Sequence, residues 1–543
     1  MKSLAISLGH NSSAVLIEDG QIIAGFEEER FSEIKADSVY PQQSIEELKA
    51  RYKLPKDTNA FIGHWFLDAS LPPPNKYWNP IHLRSLFPNG EVESLSADFT
   101  HHHSHLESAR VFAGSDWPKK YHAVVADGFG NYGECITVYE VDHGSYKVLH
   151  RVFGFEKSLG MLYQYATAFM GMKMHNHEYK MLAYEVHIPE VLDWHEIQYL
   201  KELVLETAHR YLQENRRAPI TNKFDPVTDI SALGNVQISI NAMLSDMLKK
   251  LNVSYSDTYK MRVVTSYFVQ HVVESVISGV ISMFQPTNLL VVGGLFYNVK
   301  INHILANSVS GRFCAMPLAG DQGAAIGVYQ GYIGDLQWPG HLAWGDRDLI
   351  FDNEDLPAGV VLVDSEEQAL AVIRKELSTT GWVNLVRGKM EYGPRALCNT
   401  STIALPILET TARINQANNR TMEMPMAPVM TKDQANEYFH GCDKIHKSLE
   451  YMITTRAYKP GMAEQVLGAA HFYPEENVYT GRPQITADPM MVALLNEYGP
   501  LVNTSFNFHG VPIVRSPDQI LRTHMAQRAQ APDFKALTVI IRG

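Results

Sequence analysis

The stretch THHHSHLESARVF, residues 100–112, places four histidines within five positions. If the stretch forms a helix, His101 and His105 lie one turn apart, and His102 and His105 also share a face. Two imidazoles on one helix face can bind a single transition-metal ion when further ligands complete the site. The alternative is a solvated histidine run. The choice depends on whether oxygen ligands come from elsewhere in the chain.

Length and composition limit the classes of protein that this chain can be. Its 543 residues, 45% hydrophobic and 20% charged, predict a soluble globular protein of two or three domains. The N-terminus lacks the basic start and long apolar run of a signal peptide, and no later segment is expected to reach the length of a membrane span. We therefore expect a cytoplasmic protein with no membrane partner.

Net charge limits the expected partners, and cysteine spacing limits the expected cysteine chemistry. The net charge of −12 disfavours charge-driven binding to duplex nucleic acid, although a local basic patch could coexist with it. A small or single-site substrate is compatible with this charge, and a homodimer is left open. The cysteines show neither disulfide nor zinc spacing, which predicts free thiols at Cys135, Cys314, Cys398 and Cys442.

The elements before residue 155 form a repeated unit. The first copy reads strand, polar loop, strand, hairpin at Asp19-Gly20, strand. The second copy, residues 122–154, repeats this order with a glycine-rich loop after Asp127 and a hairpin near His143-Gly144. Such a duplication resembles the actin, hexokinase and Hsp70 architecture, in which each lobe presents a hairpin loop to nucleotide phosphates.

Helices and strands alternate after this repeat. Apolar residues recur every three or four positions between about 195 and 285, which predicts helices. An apolar strand then ends in Gly293-Gly294, where backbone can approach a ligand closely. This alternation favours an α/β domain. The segment 338–360 is rich in Pro, Gly and Asp and marks the predicted domain boundary.

Several motifs, in order and across nearly the whole chain, resemble the NodU/CmcH-type O-carbamoyltransferases, a family that modifies hydroxyl groups of nodulation factors and antibiotics. The motifs are SLGHNSSAVLIEDG, EEERFSEIKADSVYP, HHHSHLESA, GGLFYN, AGDQGAAIG, GKMEYGPRALCNTS and NTSFNFHGVPIVRSPDQ. The resemblance implies an α/β fold with an actin/Hsp70-like (ASKHA), Kae1/TsaD-type domain over residues 1–345. It implies a separate α/β YrdC-like domain over residues 355–543. It also implies ATP and carbamoyl phosphate as co-substrates, with Mg²⁺ and a carbamoyl adenylate intermediate.

The resemblance supplies oxygen ligands for the histidines. It implies that His101, His105, Asp127 and Asp321 hold a divalent metal, with Fe(II) expected and Mn or Zn as alternatives. Two imidazoles and two carboxylates suit a first-row ion and leave positions free for phosphate oxygens. Taken without the resemblance, each aspartate could equally cap a turn, because Asp beside Gly is common in turns.

The nucleotide contacts are also implied by the resemblance. Gly293, Gly294 and Asn298 resemble the adenosine-contacting loop of the family, although a tight strand-to-helix turn would explain them equally well. Lys180 lies in HEYKMLAYE, a stretch shorter than the corresponding family motif, and could contact phosphate.

Two residues of the first motifs are expected at the reacting groups. An alcohol is a poor nucleophile unless a base removes its proton. His10 matches the family histidine near the acceptor and is predicted to be that base or an orienting group, with a turn cap as the alternative. Lys35 fits a family lysine and could stabilise charge on carbonyl or phosphate oxygens.

The C-terminal motifs predict a phosphate site. Arg395 offers planar, bidentate donors that suit carbamoyl phosphate, and Lys389 and Glu391 lie beside it in sequence. AAHFYPEENVYTGRPQ resembles a family pattern, but extra residues intervene and an aspartate is absent, so Arg482 carries over better than His471. NTSFN offers short polar side chains for ATP phosphates and the carbamoyl amide, namely Asn503, Ser505 and Asn507.

One departure from the family concerns a phosphate contact. Met424 stands where the family commonly has an arginine, and Arg420 is the predicted substitute. For each arginine, a surface ion pair is the alternative reading.

The acceptor is not fixed by the sequence. Candidates are a sugar, a natural-product alcohol, or the hydroxymethyl group of a modified pyrimidine nucleotide or DNA base, the last requiring an extruded or single-stranded base. The aromatic-rich segment 64–83 could bind the acceptor or pack as a surface loop. Two other functions stay open: a tRNA threonylcarbamoyl-type transferase, against which the C-terminal motifs count, and a non-catalytic nucleotide-binding module.

Overall fold

The computed structural model describes residues 2–216, 231–351, 356–420, 426–533 and 535–542. Met424 lies outside these residues. The strands are β1 (Lys2–Leu8), β2 (Ser13–Glu18), β3 (Gln21–Glu27), β4 (Asn59–His64), β5 (Val92–Ser94), β6 (Lys120–Ala126), β7 (Glu134–Asp142), β8 (Ser145–Phe153), β9 (Leu289–Val292), β10 (Phe313–Ala315), β11 (Ala343–Gly345), β12 (Val360–Val363), β13 (Trp382–Val386), β14 (Met390–Glu391), β15 (Thr400–Ala404), β16 (Ala427–Met430), β17 (Arg456–Ala457), β18 (His471–Tyr473), β19 (Val478–Gly481), β20 (Gln484–Ile485), β21 (Leu501–Ser505) and β22 (Thr538–Ile541).

The α-helices are α1 (Glu29–Ser32), α2 (Gln42–Tyr52), α3 (Pro80–Leu86), α4 (His101–Ala113), α5 (Leu159–Phe169), α6 (Met181–Tyr184), α7 (Ile188–Val191), α8 (Trp194–Arg216), α9 (Ala232–Lys250), α10 (Thr258–Ser282), α11 (Val299–Ser308), α12 (Asp321–Ile333), α13 (Glu366–Thr379), α14 (Leu408–Ala417), α15 (Lys432–Tyr438), α16 (Pro489–Tyr498) and α17 (Pro517–Gln530).

Two five-stranded sheets repeat one topology. The first has the order β3-β2-β1-β4-β5 and the second the order β10-β9-β6-β7-β8, which is the same arrangement listed from the other edge. In each sheet the first strand is antiparallel to the second and parallel to the fourth. The predicted duplicated, actin/Hsp70-like α/β architecture is confirmed.

Both predicted hairpins are present at the expected residues. Glu18 pairs with Gln21 across Asp19-Gly20, and Asp142 pairs with Ser145 across His143-Gly144. All four turn residues have positive φ, between 48° and 87°. Two-residue hairpin turns with this backbone match the right-handed twist of the strands, which explains why short polar residues and glycine occupy them.

Helix α10 is the longest described helix of the second lobe. By length and composition it could cross a membrane, which differs from the expectation that no segment reaches such a length. Its most apolar window is 78% buried against the rest of the protein. It packs in a core shared with α5, α8 and α9, as a core helix of a globular domain does.

The C-terminal part has its own sheet, as predicted. Seven strands run in the order β12-β22-β13-β15-β21-β16-β20. Helices α13 and α16 cover one face, and a smaller apolar cluster with Trp382 and Ile414 forms beside α14. A three-stranded sheet, β17-β19-β18, lies apart from it.

The two parts of the chain also share a core. Residues of the C-terminal part between Met430 and Ala470, including Phe439 and Leu449, belong to the same apolar cluster as α10. Phe313 of β10 bridges to Ile445, so the C-terminal part covers an edge of the second sheet. The predicted limits of the domains, 1–345 and 355–543, remain a prediction. All four cysteines are buried free thiols, as expected.

Candidate metal centre and neighbouring basic cluster

Three elements bring the predicted metal ligands together. His101 and His105 lie one turn apart at the start of α4, Asp127 follows the end of β6, and Asp321 is the first residue of α12. Thr100 and His103 form a capping box at the start of this helix, and Asn131 Oδ1 accepts a further hydrogen bond from the backbone N–H of His101, at 2.8 Å. Without such a partner this buried donor at the helix start would be unsatisfied.

The four side chains form one compact donor set. His101 Nε2 lies 3.1 Å from His105 Nε2 and 3.3 Å from both Asp127 Oδ2 and Asp321 Oδ1. His105 Nε2 lies 3.4 Å and 3.6 Å from the same oxygens. All four ligand atoms lie within 4.8 Å of one another. Two imidazole nitrogens and two carboxylate oxygens fit a divalent first-row metal, although they do not specify which.

Surrounding groups orient these donors. His101 Nδ1 donates to the backbone oxygen of His64 at 2.9 Å, which leaves Nε2 facing the carboxylates. Asp127 Oδ1 accepts from the backbone N–H groups of Gly128 and Gly294, at 2.7 and 3.2 Å, which leaves Oδ2 facing the histidines. Such outer hydrogen bonds fix the tautomer and rotation of metal ligands.

The charges of the cluster compensate one another. Burial opposes protonation of His101, but Asp321 and Asp127 together raise its pKa to about 10. Burial likewise opposes ionisation of Asp321, yet His101 holds its pKa at about 2. The pKa of Asp127 lies well below its usual range because His101 and His105 outweigh the effect of burial. A metal ion would replace the protons that now hold these groups together.

The other two histidines of the run face the core. His102 Nδ1 bonds Thr137 Oγ1 at 2.8 Å, and His103 Nδ1 accepts from the N–H of Thr100 at 3.0 Å. Burial lowers the pKa of His102 well below its usual value and that of His103 to about 3. The alternative pairing of His102 with His105 is therefore not the one that meets the aspartates.

Replacement of His102 by alanine tests this separation of roles. We expect the thermal unfolding midpoint to fall, because the change opens a cavity and leaves Thr137 without its partner, at a cost of about 2–4 kcal/mol. Metal content after reconstitution should stay at the wild-type level. Loss of metal from a folded His102→Ala variant would contradict the assignment.

The glycine loop lies directly against the metal centre. Gly293 has φ +106°, and a Cβ there would lie 2.2 Å from Ala126 O. A Cβ on Gly294 would lie 2.8 Å from Asp127 Oδ1. Asn298 caps α11, since its Oδ1 accepts from the N–H groups of Lys300 and Ile301. Its side chain thus has a structural partner, and its contact with adenosine remains a prediction.

A second group of predicted residues forms a basic cluster, which we define as Lys35, Arg395, Arg420 and Arg482. Burial, Arg395 and Arg420 lower the pKa of Arg482 to about 9. Burial also lowers the pKa of Lys35, with further lowering by Arg420 and Arg395. Arg395 Nε is buried without a hydrogen-bond partner. Among the described residues, no carboxylate forms an ion pair with any of the three arginines.

Such a cluster favours a bound anion. Arg395 and Arg420 lower the pKa values of both Arg482 and Lys35, although Glu29 opposes the shift at Lys35. The cations therefore repel one another, and a phosphate would relieve that repulsion. Among the described residues, these arginines do not form the surface ion pairs that were the alternative interpretation. Arg420, the predicted substitute at the family's missing arginine, is part of this cluster.

The chain matches two carbamoyltransferase family models in the expected order. Residues 91–329 match the carbamoyltransferase N-terminus, and residues 374–538 match the carbamoyltransferase C-terminus. The chain belongs to the carbamoyltransferase family. The metal ligands from His101 to Asp321 fall within the first match, and the arginines of the basic cluster fall within the second.

Relatives of this carbamoyltransferase span distant organisms. It is 24% identical to an uncharacterized protein of Methanocaldococcus jannaschii over 98% of both chains. It is 25% identical to the nodulation protein NolNO of Sinorhizobium fredii over 95% of this chain and 77% of that protein. It is 27% identical to a 3'-hydroxymethylcephem-O-carbamoyltransferase of Amycolatopsis lactamdurans over 44% of this chain and 46% of that one.

Three other predicted residues of the carbamoyltransferase have different roles. Glu391 Oε1 accepts from three backbone N–H groups of residues 397–400 and so shapes the loop that carries Arg395. His471 lies near Arg482, and burial with that arginine lowers its pKa to about 4. Lys389 instead pairs with Asp346 at 3.1 Å and donates to Ile23 O, apart from the cluster.

The NTSFN side chains bond mainly within the protein. Asn503 Nδ2 donates to Ala396 O at 2.8 Å, while its Oδ1 is buried without a partner. Ser505 Oγ donates to Asn507 Oδ1 at 2.6 Å. These residues position the loop beside Arg395, and their contacts with ATP remain a prediction.

The loop carrying Arg395 reaches the metal centre. The hydroxyl of Tyr392 lies 2.7 Å from Ser13 Oγ and 3.0 Å from the backbone oxygen of Gln322, the neighbour of Asp321. The N–H of Gly393 donates to Glu27 Oε2 at 3.0 Å. Glu27 was not predicted, although it opens the EEER motif, because only the structure shows its buried partner across 366 residues of sequence.

A Tyr392→Phe variant tests the coupling between the two sites. Removal of the hydroxyl leaves buried Ser13 Oγ and Gln322 O less well satisfied, so we expect a stability loss of about 1–3 kcal/mol. Pyrophosphate release should be affected less than carbamoyl transfer, which the ratio of the two rates would show. An unchanged ratio would contradict the coupling.

His10 and Lys180 lie at the junction of the lobes. Gly9, with φ +117°, allows the indole of Trp65 to pack where a Cβ would lie 2.1 Å from its Nε1, which fixes the turn before His10. The ring of His10 stacks on that of His175, with centroids 3.8 Å apart. Lys180 Nζ lies 3.4 Å from His509 Nε2, so it meets the C-terminal part of the protein.

Proposed function

We propose that this carbamoyltransferase uses ATP and carbamoyl phosphate to form carbamoyl adenylate and then carbamoylates an alcohol. The observation that carries the proposal is a basic cluster, whose arginines form no ion pair among the described residues, joined through Tyr392 to a compact His₂Asp₂ donor set. One site suits phosphates of the co-substrates. The His₂Asp₂ donor set suits a metal-assisted transfer, and the loop that carries Arg395 connects the two sites.

The first step is assigned to the basic cluster. Its arginines bind the phosphates of carbamoyl phosphate and ATP, and Mg²⁺ accompanies ATP. One water molecule attacks the carbonyl carbon of carbamoyl phosphate, the bond from that carbon to the phosphate oxygen breaks, and carbamate and phosphate form. An oxygen of carbamate then bonds the α-phosphorus of ATP while the bond to pyrophosphate breaks. The enclosed position between the two parts of the chain protects carbamate and the mixed anhydride from water.

The second step is assigned to the metal centre. His101, His105, Asp127 and Asp321 would hold a divalent metal, proposed as Fe(II), and such an ion supplies Lewis-acid stabilisation of phosphate charge when bound. The acceptor oxygen attacks the carbonyl carbon, and the bond from that carbon to the AMP oxygen breaks. His10 would take the proton of the acceptor hydroxyl, and Lys35 would stabilise charge on the departing phosphate.

Aromatic side chains suggest where the acceptor enters. The ring of Trp65 contacts those of Phe66, Tyr77 and Phe129, with centroids 5.4 to 6.0 Å apart, and lies parallel to His10 at 6.4 Å. Phe129 is two residues beyond Asp127. We propose that this wall binds the acceptor, which gives the segment 64–83 a role in recognition. The relative from Amycolatopsis lactamdurans is named for a hydroxymethylcephem, which makes alcohols on ring systems the first candidates.

A reconstitution assay tests the proposed function. Purified protein is supplied anaerobically with Fe(II), Mg²⁺, ATP and carbamoyl phosphate, with Mn(II) and Zn(II) in parallel. Acceptors are N-acetylglucosamine, a 3'-hydroxymethylcephem, 5-hydroxymethyl-dCMP and a single-stranded oligonucleotide carrying that base. We expect pyrophosphate and AMP, with carbamoyl ester detected by mass spectrometry. Folded protein that consumes neither co-substrate would leave a nucleotide-binding module, and product only with threonine, bicarbonate and tRNA would favour the tRNA-modifying alternative.

A further inference from the structure

The ring of His175 contacts that of His10, the proposed base. His10 lies in the turn between β1 and β2, and His175 lies in the loop after α5, so each lobe supplies one ring of the pair. Their centroids lie 3.8 Å apart with planes inclined by 27°. This separation is that of a direct ring stack, so His175 limits how the ring of His10 can rotate.

Neighbouring residues hold His175 in place. Gln164 Nε2 lies 2.8 Å from His175 Nδ1 and donates to it, which leaves the other ring nitrogen as the protonated one. Glu178 Oε1 accepts from the backbone N–H of His175 at 2.5 Å. The residue has φ +62°, a left-handed conformation that is unusual for a non-glycine residue and persists when surrounding contacts enforce it.

The charge state of the pair is compatible with close stacking. Although His175 is exposed as a whole residue, desolvation and the neighbouring His10 lower its pKa to about 3, and Asp321 opposes that shift. His175 is therefore neutral near pH 7, so the stack does not bring two cations together. The effect of Asp321 also places the pair within electrostatic reach of the metal centre.

We propose that His175 is a positioning residue for the transfer step, which holds the ring of His10 toward the acceptor hydroxyl while Gln164 holds His175. This rests on the proposed function. His175 stacks on one face of His10, and the parallel indole of Trp65 lies 6.4 Å away. The ring edge of His10 is then directed by residues of both lobes, and a proton of the acceptor can reach it only in that orientation.

The test uses the full chain with His175→Ala, His175→Phe and His175→Asn, and the panel alcohol that wild type carbamoylates most rapidly. A lost orientation of a base costs about 10- to 100-fold in kcat for the alcohol. We expect that loss for His175→Ala and His175→Asn. We expect His175→Phe, which keeps the stack, to stay within about threefold of wild type.

Hydroxylamine separates positioning from structural damage. As a neutral nucleophile near pH 7 it attacks the carbonyl carbon through nitrogen, the bond from that carbon to the AMP oxygen breaks, and the nitrogen loses its extra proton to water, so hydroxyurea forms without His10. Hydroxyurea formation and pyrophosphate release by His175→Ala should stay within about twofold of wild type. His143→Ala, at an exposed histidine far from the site in sequence, is the matched control.

The outcomes are distinct. Equal loss of hydroxyurea and carbamoyl ester, an unchanged kcat in His175→Ala, or loss in His175→Phe equal to that in alanine would overturn the inference. If wild type forms neither pyrophosphate nor any carbamoyl product, the proposed function itself fails. If wild type is active and the three variants match it, only the role of His175 fails.

Discussion

Replacement of Asp321 by asparagine is expected to lower carbamoyl transfer by about 10³-fold or more, because it would remove one of the four proposed metal ligands from a buried site. Asparagine offers a neutral oxygen in place of a carboxylate, so the affinity for a divalent ion falls. His101→Ala should have the same effect, since its Nε2 is within 3.3 Å of both carboxylates. Metal content measured after reconstitution and gel filtration gives a readout independent of activity.

If Asp321 acts only in the transfer step, its replacement should lower carbamoyl transfer but not pyrophosphate release. In the proposed mechanism pyrophosphate release depends on the basic cluster, so it should persist in Asp321→Asn, and the ratio of ester to pyrophosphate is the decisive quantity. His143→Ala removes a histidine whose side chain is 72% exposed and should leave metal content and both rates unchanged. Full metal content in Asp321→Asn, or equal loss of both rates, would show that the four side chains do not form the transfer site.

Replacement of Arg482 by methionine is expected to reduce pyrophosphate release by about 10²- to 10³-fold, because a charge-assisted donor to phosphate is lost. The same change should raise the thermal unfolding midpoint of the protein without co-substrates. Arg482 lies among other cations, and its pKa of about 9 records the cost of keeping it charged there. Methionine removes that repulsion while retaining much of the packing volume.

The opposite signs of these two effects distinguish binding from structure. An arginine that stabilised the fold through ion pairs would lose stability and activity together. Arg374→Ala is the matched control in the same part of the chain, because this exposed arginine pairs only with Glu497 among the described partners. It should leave pyrophosphate release unchanged. A lower unfolding midpoint for Arg482→Met, with unchanged pyrophosphate release, would remove the phosphate site from this cluster.

The features that depend on local spacing could be predicted from the sequence. Hairpins at Asp19-Gly20 and His143-Gly144 follow from residues that tolerate positive φ, and the helical spacing of His101 and His105 follows from one turn of helix. The duplicated sheet order followed because each copy repeats the same local signals. The two aspartates were identified through a resemblance, since their position beside glycine also suits ordinary turns.

The rest depended on contacts between distant parts of the chain. Lys389 lies beside the Arg395 motif but turns to Asp346, and Asn298 caps α11 through two backbone N–H groups. Neither contact can be predicted from sequence spacing, because tertiary packing determines which partner each side chain meets. His175 was missed for the same reason. Its partner His10 lies on the other lobe, and nothing within HNHEYK indicates that pairing.

The apolar residues between Met430 and Ala470 affect whether the two parts of the chain can be expressed separately. If residues 1–345 were expressed alone, the edge strand β10 and the apolar cluster around α10 would be exposed to water. In the full chain, Phe439, Ile445 and Leu449 cover these surfaces. We expect each half, expressed alone, to expose this apolar surface and to aggregate. The two proposed reactions would then require a single polypeptide.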